Sequence, residues 1–401
     1  MSSSSIQDNN LTIFATTDFH GRRVPFGIRR RDRRAHIYAI GKTGTGKSTL
    51  LQTLIEQDMK AGEGLALLDP HGDLVESVLA RVPAQRRGDV IYFNVSDSTN
   101  PLAFNPLEHI SPQHRPLAAS GMLSVFKSVW ADSWGPRLEH ILRNCLLALL
   151  DQPKATLADV PRLLDDATYR RGAVANVQSE QVRAFWLKEY EGYPVRFRAE
   201  AVAPIQNKVG AFLSNPILSR IITQARSSFR LRQVMDEGKI LLVNLSKGKI
   251  GEDTTALLGS LLVSRMSLAA LSRANTPEEH RRDFYLYLDE FQGFTTGELA
   301  GMLATLRKYR LNLTLAHQYL SQLTPEVRDG ILGNACTIIA FRIGLVDAEL
   351  LAKEFYPTFS VTDLLSIPNY RIYLKLMIDG KVSEPFSAQT VLPSSYTRPR
   401  P

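Results

Sequence analysis

Residues 36–74 read HIYAIGKTGTGKSTLLQTLIEQDMKAGEGLALLDPHGDL, and this stretch decides the fold. A short apolar run, a glycine-rich turn, a helical pattern of apolar residues and a second apolar run follow one another along it. Gly62 and Gly64 lie where the helical pattern stops, as glycines at helix ends commonly do. The succession of strand, loop, helix and strand predicts an α/β fold with a mainly parallel sheet.

The turn within this stretch, Gly41–Ser48, matches the pattern GxxxxGK[ST] between a predicted strand and a predicted helix. Glycines let backbone N–H groups surround phosphate oxygens, and the helix N-terminus adds the positive end of its dipole. We expect Lys47 to reach the β- and γ-phosphates of ATP, and the Ser48 hydroxyl to ligate Mg²⁺. The predicted nucleotide-binding residues are Gly41, Thr43, Gly44, Thr45, Gly46, Lys47, Ser48 and Thr49. A structural glycine-rich turn is the alternative.

Residues 284–290, FYLYLDE, form an apolar run that ends in two carboxylates. In proteins with this phosphate-binding loop, an acid at a strand end holds the Mg²⁺ shell, and Asp289 is predicted to do so. Glu290 is then placed to polarise the attacking water as general base. Acids are common in turns after strands, so the pair points to catalysis because the phosphate-binding loop accompanies it.

Two further polar residues are candidates for the same site. Gln318 follows the apolar run 311–316, where an amide could sense the γ-phosphate; a loop-capping role is the alternative. Arg307 lies before that run and is the candidate for an arginine that acts on a neighbouring subunit's nucleotide. A solvated helix face is the alternative for Arg307, and Arg342 is the second candidate because an arginine in an apolar run needs a partner.

The composition is that of a globular protein, with 44% hydrophobic and 22% charged residues among 401. Its apolar runs fall short of the about 18 residues of a membrane span, and the polar start MSSSSIQDNN lacks the features of a secretory signal. Cys145 and Cys336 are far apart and outside any CxxC motif, which argues against a zinc site or a disulfide framework. These features predict a cytoplasmic protein without a transmembrane segment of its own.

The positive charge is concentrated in residues 22–34, where seven arginines and one aspartate give +6 of the formal net charge of +8. Overall charge is therefore weak evidence for a nucleic-acid partner. Arg29–Arg34 could bind DNA phosphates, line a subunit interface, or form a solvated face.

The pattern of apolar residues changes twice along the chain. Strand-like runs give way to helical periodicity after about residue 104 and return at residue 239, which predicts a helical insertion. Residues 370–377 are predicted to add a late edge strand. The predicted parts are a flexible tail at 1–20, motor-domain segments at 21–104 and 239–390, a mainly helical insertion at 105–238, and a flexible tail at 391–401.

Several stretches between residues 26 and 354 resemble the ATPase of conjugative type IV secretion coupling proteins, in the HerA/FtsK superfamily of P-loop motors. The most specific are DPHGDL, LDEFQ and RKYRLNLTLAHQYLSQL. The resemblance implies a RecA-like P-loop NTPase with an inserted all-α domain, a hexameric ring of identical chains, and DNA in its channel. It also implies roles for Gly46, Lys47 and Ser48 at the nucleotide, Asp289 and Glu290 in Mg²⁺ binding and catalysis, and Gln318 as sensor. Asp69 resembles an acid that follows the second strand in this family.

Coupling proteins usually carry N-terminal transmembrane helices, whereas this chain reaches its phosphate-binding loop at Gly41. A partner would then attach the protein to the inner membrane. The leading hypothesis is an ATP-driven DNA translocase in conjugation, with relaxase or secretion-channel proteins as partners. One alternative is a nucleotide-gated recruitment protein that translocates nothing and docks through its tryptophan-bearing insertion. Another is a soluble HerA-like motor in DNA repair or phage defence.

Overall fold

A computed structural model describes residues 10–18, 23–131 and 134–393. Within these ranges eleven strands form one sheet in the order β2-β1-β13-β10-β9-β3-β8-β7-β4-β6-β5, and β11 and β12 form a separate hairpin. The strands are β1 (Leu11–Thr17), β2 (Pro25–Arg29), β3 (Ile37–Ile40), β4 (Gly64–Asp69), β5 (Val90–Asn94), β6 (Ile240–Asn244), β7 (Phe284–Leu288), β8 (Leu311–His317), β9 (Thr337–Ala340), β10 (Arg371–Lys375), β11 (Met377–Ile378), β12 (Lys381–Val382) and β13 (Phe386–Thr390).

Helices connect many of these strands. They are α1 (Arg30–Arg33), α2 (Lys47–Lys60), α3 (Asp73–Leu79), α4 (Arg115–Val129), α5 (Pro136–Leu150), α6 (Asp159–Asp165), α7 (Ala167–Ala175), α8 (Glu180–Ala184), α9 (Val195–Leu213), α10 (Pro216–Ile222), α11 (Leu231–Glu237), α12 (Lys247–Ile250), α13 (Glu252–Leu271), α14 (Gly297–Leu306), α15 (Pro325–Asn334), α16 (Leu345–Phe355) and α17 (Val361–Leu365). The α/β prediction is confirmed.

The centre of the sheet is parallel. Strand β3 lies between β8 and β9, β8 pairs with β7, and β7 pairs with β4, all in the same direction. These strands are buried along their whole length and mostly apolar, as expected for parallel strands covered on both faces. Their carboxyl ends therefore share one edge of the sheet, the carboxyl edge, and their amino ends share the opposite one, the amino edge.

An antiparallel extension continues the sheet beyond β9, through β10, β13, β1 and β2. The prediction of a flexible tail over residues 1–20 is wrong for Leu11–Thr17, which form β1. Phe14 and Ala15 are buried there, because β1 pairs on both sides. The predicted edge strand near residue 370 is wrong in place, since β10 has β9 and β13 as neighbours. Residues 1–9 and 19–20, and residues 394–401 of the predicted second tail, lie outside the described residues.

The chain divides into two compact units. The second comprises Phe93–Gln233 and Asn244–Arg273, and the first takes the rest. The second unit is built of helices, with α13 packed against α4, which explains why residues 244–273 belong with it although they follow the predicted insertion 105–238. Among the described residues, one helix, Glu252–Asn275, is long and apolar enough to cross a bilayer, but 78% of its apolar window is buried, as in a core helix.

Candidate nucleotide site

The predicted phosphate-binding loop joins β3 to α2 at the carboxyl edge. Gly44 and Gly46 adopt φ values of +75° and +122°, which side chains other than hydrogen rarely permit. A Cβ on Gly41 would lie 2.5 Å from the Cβ of Phe341, so this position has no room for a side chain. Thr45 closes the loop by donating its hydroxyl to the Lys42 carbonyl at 2.7 Å.

The Lys47 ammonium lies inside the loop. Its Nζ donates to the carbonyls of Gly41 at 2.6 Å and Lys42 at 3.4 Å, and lies 4.0 Å from the Glu290 carboxylate. Burial lowers the pKa of Lys47, while the charges of Glu290 and Asp289 oppose this shift. Ser48 is exposed in the first turn of α2, where its hydroxyl is accessible.

Asp69 ends strand β4, and Asp289 directly follows the neighbouring strand β7. Burial, with the like charges of Asp69 and Glu290, raises the pKa of Asp289 to about 7. Asp69 is also buried, and its two carboxylate oxygens accept hydrogen bonds from the backbone N–H groups of His71, Leu74 and Val75 at 2.8, 2.9 and 3.1 Å. Asp69 therefore holds the start of α3, and Asp289 is the acid with capacity left for a cation.

Glu290 and Gln318 are joined directly. The Gln318 amide donates to Glu290 Oε1 at 3.2 Å, and the Gln292 amide donates to Glu290 Oε2 at 2.8 Å. Glu290 has φ +46°, a strained conformation for a residue with a side chain, and such strain is concentrated at functional sites. The structure thus brings Lys47, at the start of α2, together with Glu290 and Gln318, which follow the neighbouring strands β7 and β8.

His317, next to Gln318, supports this arrangement from behind. It is fully buried between the rings of Tyr38 and Phe291, with centroids 5.5 and 4.7 Å away, and its Nδ1 lies 3.3 Å from the Tyr38 hydroxyl. Burial and the nearby Lys47 charge lower the pKa of His317 to about 3, so it is neutral. The cluster links the strands that carry the loop, the acids and Gln318.

Arg307 is not brought to these residues. It precedes β8, whereas Gln318 follows it, so the two lie about 20 Å apart along a seven-residue strand. Arg307 instead lines a surface cavity of about 560 Å³ with Arg31 and Arg34, at the amino edge. Arg342 bonds within its own chain, donating to Asn369 Oδ1 at 2.9 Å and to the Ile367 carbonyl at 3.4 Å.

The arginine-rich segment is paired with acids of the same chain. Arg29 and Arg31 both bond Asp379, at 2.6 and 2.5 Å. Arg30 bonds Glu63 at 2.7 Å, and Arg34 makes a two-pronged contact with Asp283. Each of these arginines has its charge partly neutralised at the amino edge.

Arg33 is the buried member of this segment. Its guanidinium makes two bonds to Asp58, at 2.5 and 2.9 Å, donates to the Tyr287 hydroxyl at 2.6 Å, and lies 3.9 Å from the centre of the Tyr285 ring. Asp58 belongs to the last turns of α2, so Arg33 ties the segment before β3 to the helix that begins at the nucleotide loop. Sequence reasoning missed this pair, since no local spacing links residues 33 and 58.

The sequence of residues 21–342 matches the family model of the type IV secretion-system coupling protein DNA-binding domain. No curated protein matches the sequence.

Solved structures with a similar fold include two of the bacterial conjugative coupling protein TrwB. The unbound form of TrwBΔN70 has a TM-score of 0.64 at 16% identity, over 94% of this chain and 88% of that chain. TrwB in complex with ADP and Mg²⁺ has a TM-score of 0.65 at 16% identity, over 94% and 89%. VirB4 of Thermoanaerobacter pseudethanolicus has a TM-score of 0.61 at 15% identity, over 95% and 96%. These likenesses confirm the predicted RecA-like P-loop fold.

Proposed function

Because the chain belongs to the family of type IV secretion-system coupling proteins, we propose that it is an ATPase that drives DNA through a conjugative transfer channel. The observation that carries this proposal is the contact of Glu290 with Gln318 and Lys47 at the ends of three strands. A base, a positive charge and an amide converge there on one point beside a phosphate-binding loop. Together with Mg²⁺, such groups are used for γ-phosphate hydrolysis in P-loop NTPases.

The residues present suit ATP hydrolysis. Lys47 now neutralises carbonyl dipoles of its own loop, and phosphate oxygens would replace these carbonyls as its partners. Glu290 is within reach of Lys47 yet held by two amides, so its carboxylate is oriented to take a proton from an attacking water. Gln318, bonded to that carboxylate, couples the state of the γ-phosphate to the position of the base.

A Mg²⁺ ion fits the donors of this site. Among the described residues no group of three or more acidic, histidine or cysteine side chains could hold a metal, so a cation here would depend on substrate phosphates. Mg²⁺ is commonly held in this way, by one or two protein oxygens and the phosphates. Asp289 and Ser48 would supply the protein oxygens, and the ion would supply positive charge that neutralises the phosphates.

The proposed assembly is a hexameric ring with DNA as the transported partner and ATP hydrolysed between neighbouring chains. Arg307, about 20 Å along β8 from its own chain's site, would act on a neighbour's nucleotide. The tightly partnered Arg342 is the weaker candidate, since it holds the 367–370 segment. We further propose a cytoplasmic location, with relaxase or secretion-channel proteins as partners and a partner-mediated attachment to the inner membrane.

The test is Mg²⁺-dependent ATP hydrolysis by the purified protein, measured with and without DNA, followed by a single-molecule assay of movement along DNA. Hydrolysis that rises with DNA and accompanies movement supports the motor. A turnover number for ATP that does not change when DNA is added, at any protein concentration, contradicts the motor. Nucleotide-dependent assembly without movement would instead favour the recruitment function.

A further inference from the structure

An exposed tyrosine lies against the phosphate-binding loop, and no step above uses it. Tyr370 is 41% exposed and directly precedes strand β10, in which Ile372 and Leu374 are buried. A Cβ placed on Gly46 would lie 3.0 Å from Cδ1 of the Tyr370 ring, so the ring covers the glycine at the start of α2. The two residues are 324 positions apart in the chain, and the fold brings them together.

The position of this tyrosine is held from several sides. Its N–H donates to the Thr45 carbonyl at 2.8 Å, and its own carbonyl accepts bonds from the Thr390 N–H at 2.9 Å and hydroxyl at 3.0 Å. Arg342 holds the preceding residues through Asn369 and Ile367. Tyr370 also has φ +64°, which costs free energy in a residue with a Cβ. These backbone bonds fix Tyr370 against the nucleotide loop in a strained conformation, and such strain is concentrated at functional sites.

A second exposed apolar residue, Leu392, lies on a segment that contacts the same helix. Strand β13 ends at Thr390, and the Val391 carbonyl accepts a bond from Thr53 of α2 at 3.2 Å, one turn beyond the predicted nucleotide residue Thr49. Leu392, the next residue, is 47% exposed. The Tyr370 ring thus covers the start of the helix whose N-terminus would receive the phosphates, and the segment that carries Leu392 contacts the second turn of that helix through Val391.

We propose that Tyr370 stacks on the base of the nucleotide whose phosphates the Gly41–Ser48 loop binds. This inference rests on the proposed ATP binding and assigns its base-binding surface. A purine base is a flat ring joined through the ribose to the phosphates. It can therefore stack on an exposed aromatic ring that lies beside the phosphate-binding loop, as Tyr370 does. Stacking contacts use the π-face that every base presents, so the ring would contribute affinity with little choice between bases.

The test compares ATP with inorganic tripolyphosphate, which lacks the base, by calorimetric titration in a Glu290→Gln background that prevents hydrolysis. Tyr370→Phe keeps the ring. Tyr370→Gly and Tyr370→Asn remove the ring while tolerating the left-handed backbone. We expect the ring-free variants to bind MgATP about tenfold more weakly, with tripolyphosphate affinity unchanged and the Phe variant equal to the parent.

Two results would overturn the inference. One is an unchanged ATP affinity in the ring-free variants. The other is an equal loss for ATP and tripolyphosphate, which would make Tyr370 a support of the loop rather than a surface for the base. Failure of the parent protein to bind either ligand would instead remove the proposed function, and this inference with it. Melting temperatures of all variants identify any loss that comes from unfolding.

Discussion

The carboxyl edge and the amino edge of the same parallel strands differ in how their charged side chains are paired. At the carboxyl edge Lys47 bonds carbonyls of its own loop and lies 4.0 Å from Glu290, while burial and nearby acids raise the pKa of Asp289 to about 7. At the amino edge five arginines, Arg29, Arg30, Arg31, Arg33 and Arg34, pair closely with acids.

This difference indicates that the carboxyl edge can bind a ligand, whereas the ion pairs of the amino edge stabilise the fold. Asp289 lies near other carboxylates, and Lys47 bonds carbonyls of its own loop and lies 4.0 Å from a carboxylate. Both side chains can therefore gain electrostatic energy when a ligand of opposite charge binds. Charges already matched within the chain have little left to offer a partner, however basic their sequence is. The local charge of +6 is therefore weak evidence for a DNA contact at this segment, whereas the carboxyl edge holds the proposed chemistry.

The largest effect is expected at the carboxyl edge. Glu290→Gln removes the proton acceptor but keeps the hydrogen-bonding shape, so the turnover number for ATP should fall about 10²- to 10⁴-fold while ATP still binds. Steady-state hydrolysis and nucleotide titration check this. Glu278→Gln, at an exposed acid of the amino edge, is the matched control and should keep its activity. Retained turnover in Glu290→Gln would exclude Glu290 as the base.

Breaking the buried pair at the amino edge should cost stability instead. Arg33→Met leaves the Asp58 carboxylate buried without its partner, so the free energy of unfolding should fall by about 3–5 kcal/mol. Urea denaturation measures the loss. The double variant Arg33→Met/Asp58→Leu should recover most of it, because no unpaired charge remains. If the single variant matched the wild type, the pair would not anchor α2.

Asp289 links pH to stability with a definite sign. Its pKa is raised from 3.8 to about 7 in the folded chain, so the folded state holds the proton more tightly than the unfolded state. Stability from this group is present below pH 4 and lost as pH rises toward 7. Asp289→Asn should flatten this dependence and stabilise the protein at pH 8 by about 2–4 kcal/mol.

Urea denaturation of the wild type and the Asp289→Asn variant between pH 4 and 8, without Mg²⁺, measures the dependence of stability on pH. Asp253→Asn, at an exposed acid of α13, is the control and should leave the profile unchanged. A destabilised Asp289→Asn variant at pH 8 would contradict the raised pKa.

The smallest effect is expected for DNA binding by the exposed arginines of the amino edge. Arg29→Gln/Arg31→Gln should change the slope of log affinity against log salt by less than the about 0.9 that one phosphate contact contributes, because both arginines bond Asp379. Binding titrations at several salt concentrations test this. A slope reduced by about two contacts would show that these arginines leave Asp379 for DNA.

Local spacing was enough to predict the nucleotide loop and its acids. Gly41–Ser48 and Asp289–Glu290 each need only a few neighbouring residues, and in a parallel sheet consecutive strand ends meet at one edge. Gln318 was found in the same way, and its bond to Glu290 agrees with the expectation that both serve one site. The roles of these residues stay predictions until variants are measured.

Long-range pairing was beyond sequence reasoning. The polar start of the chain predicts a tail, although Leu11–Thr17 complete the antiparallel extension, because nothing nearby in sequence shows that β13 and β2 pair with these residues. The sequence places Arg33 among basic neighbours, although its partner Asp58 lies on another helix. Tyr370 carried no signal at all, since its contact with the loop depends on the turn into β10.

The sequence by itself determined the α/β class, the phosphate-binding loop and the acids after β7, because each depends on interactions between residues close in the chain or on the simple rule of parallel strand ends. Only the tertiary structure decided which charges are matched and which remain available. Burial, pKa and ion pairing arise from whatever the fold places nearby, and for Arg33, Asp289 and Tyr370 the deciding neighbours come from distant parts of the chain.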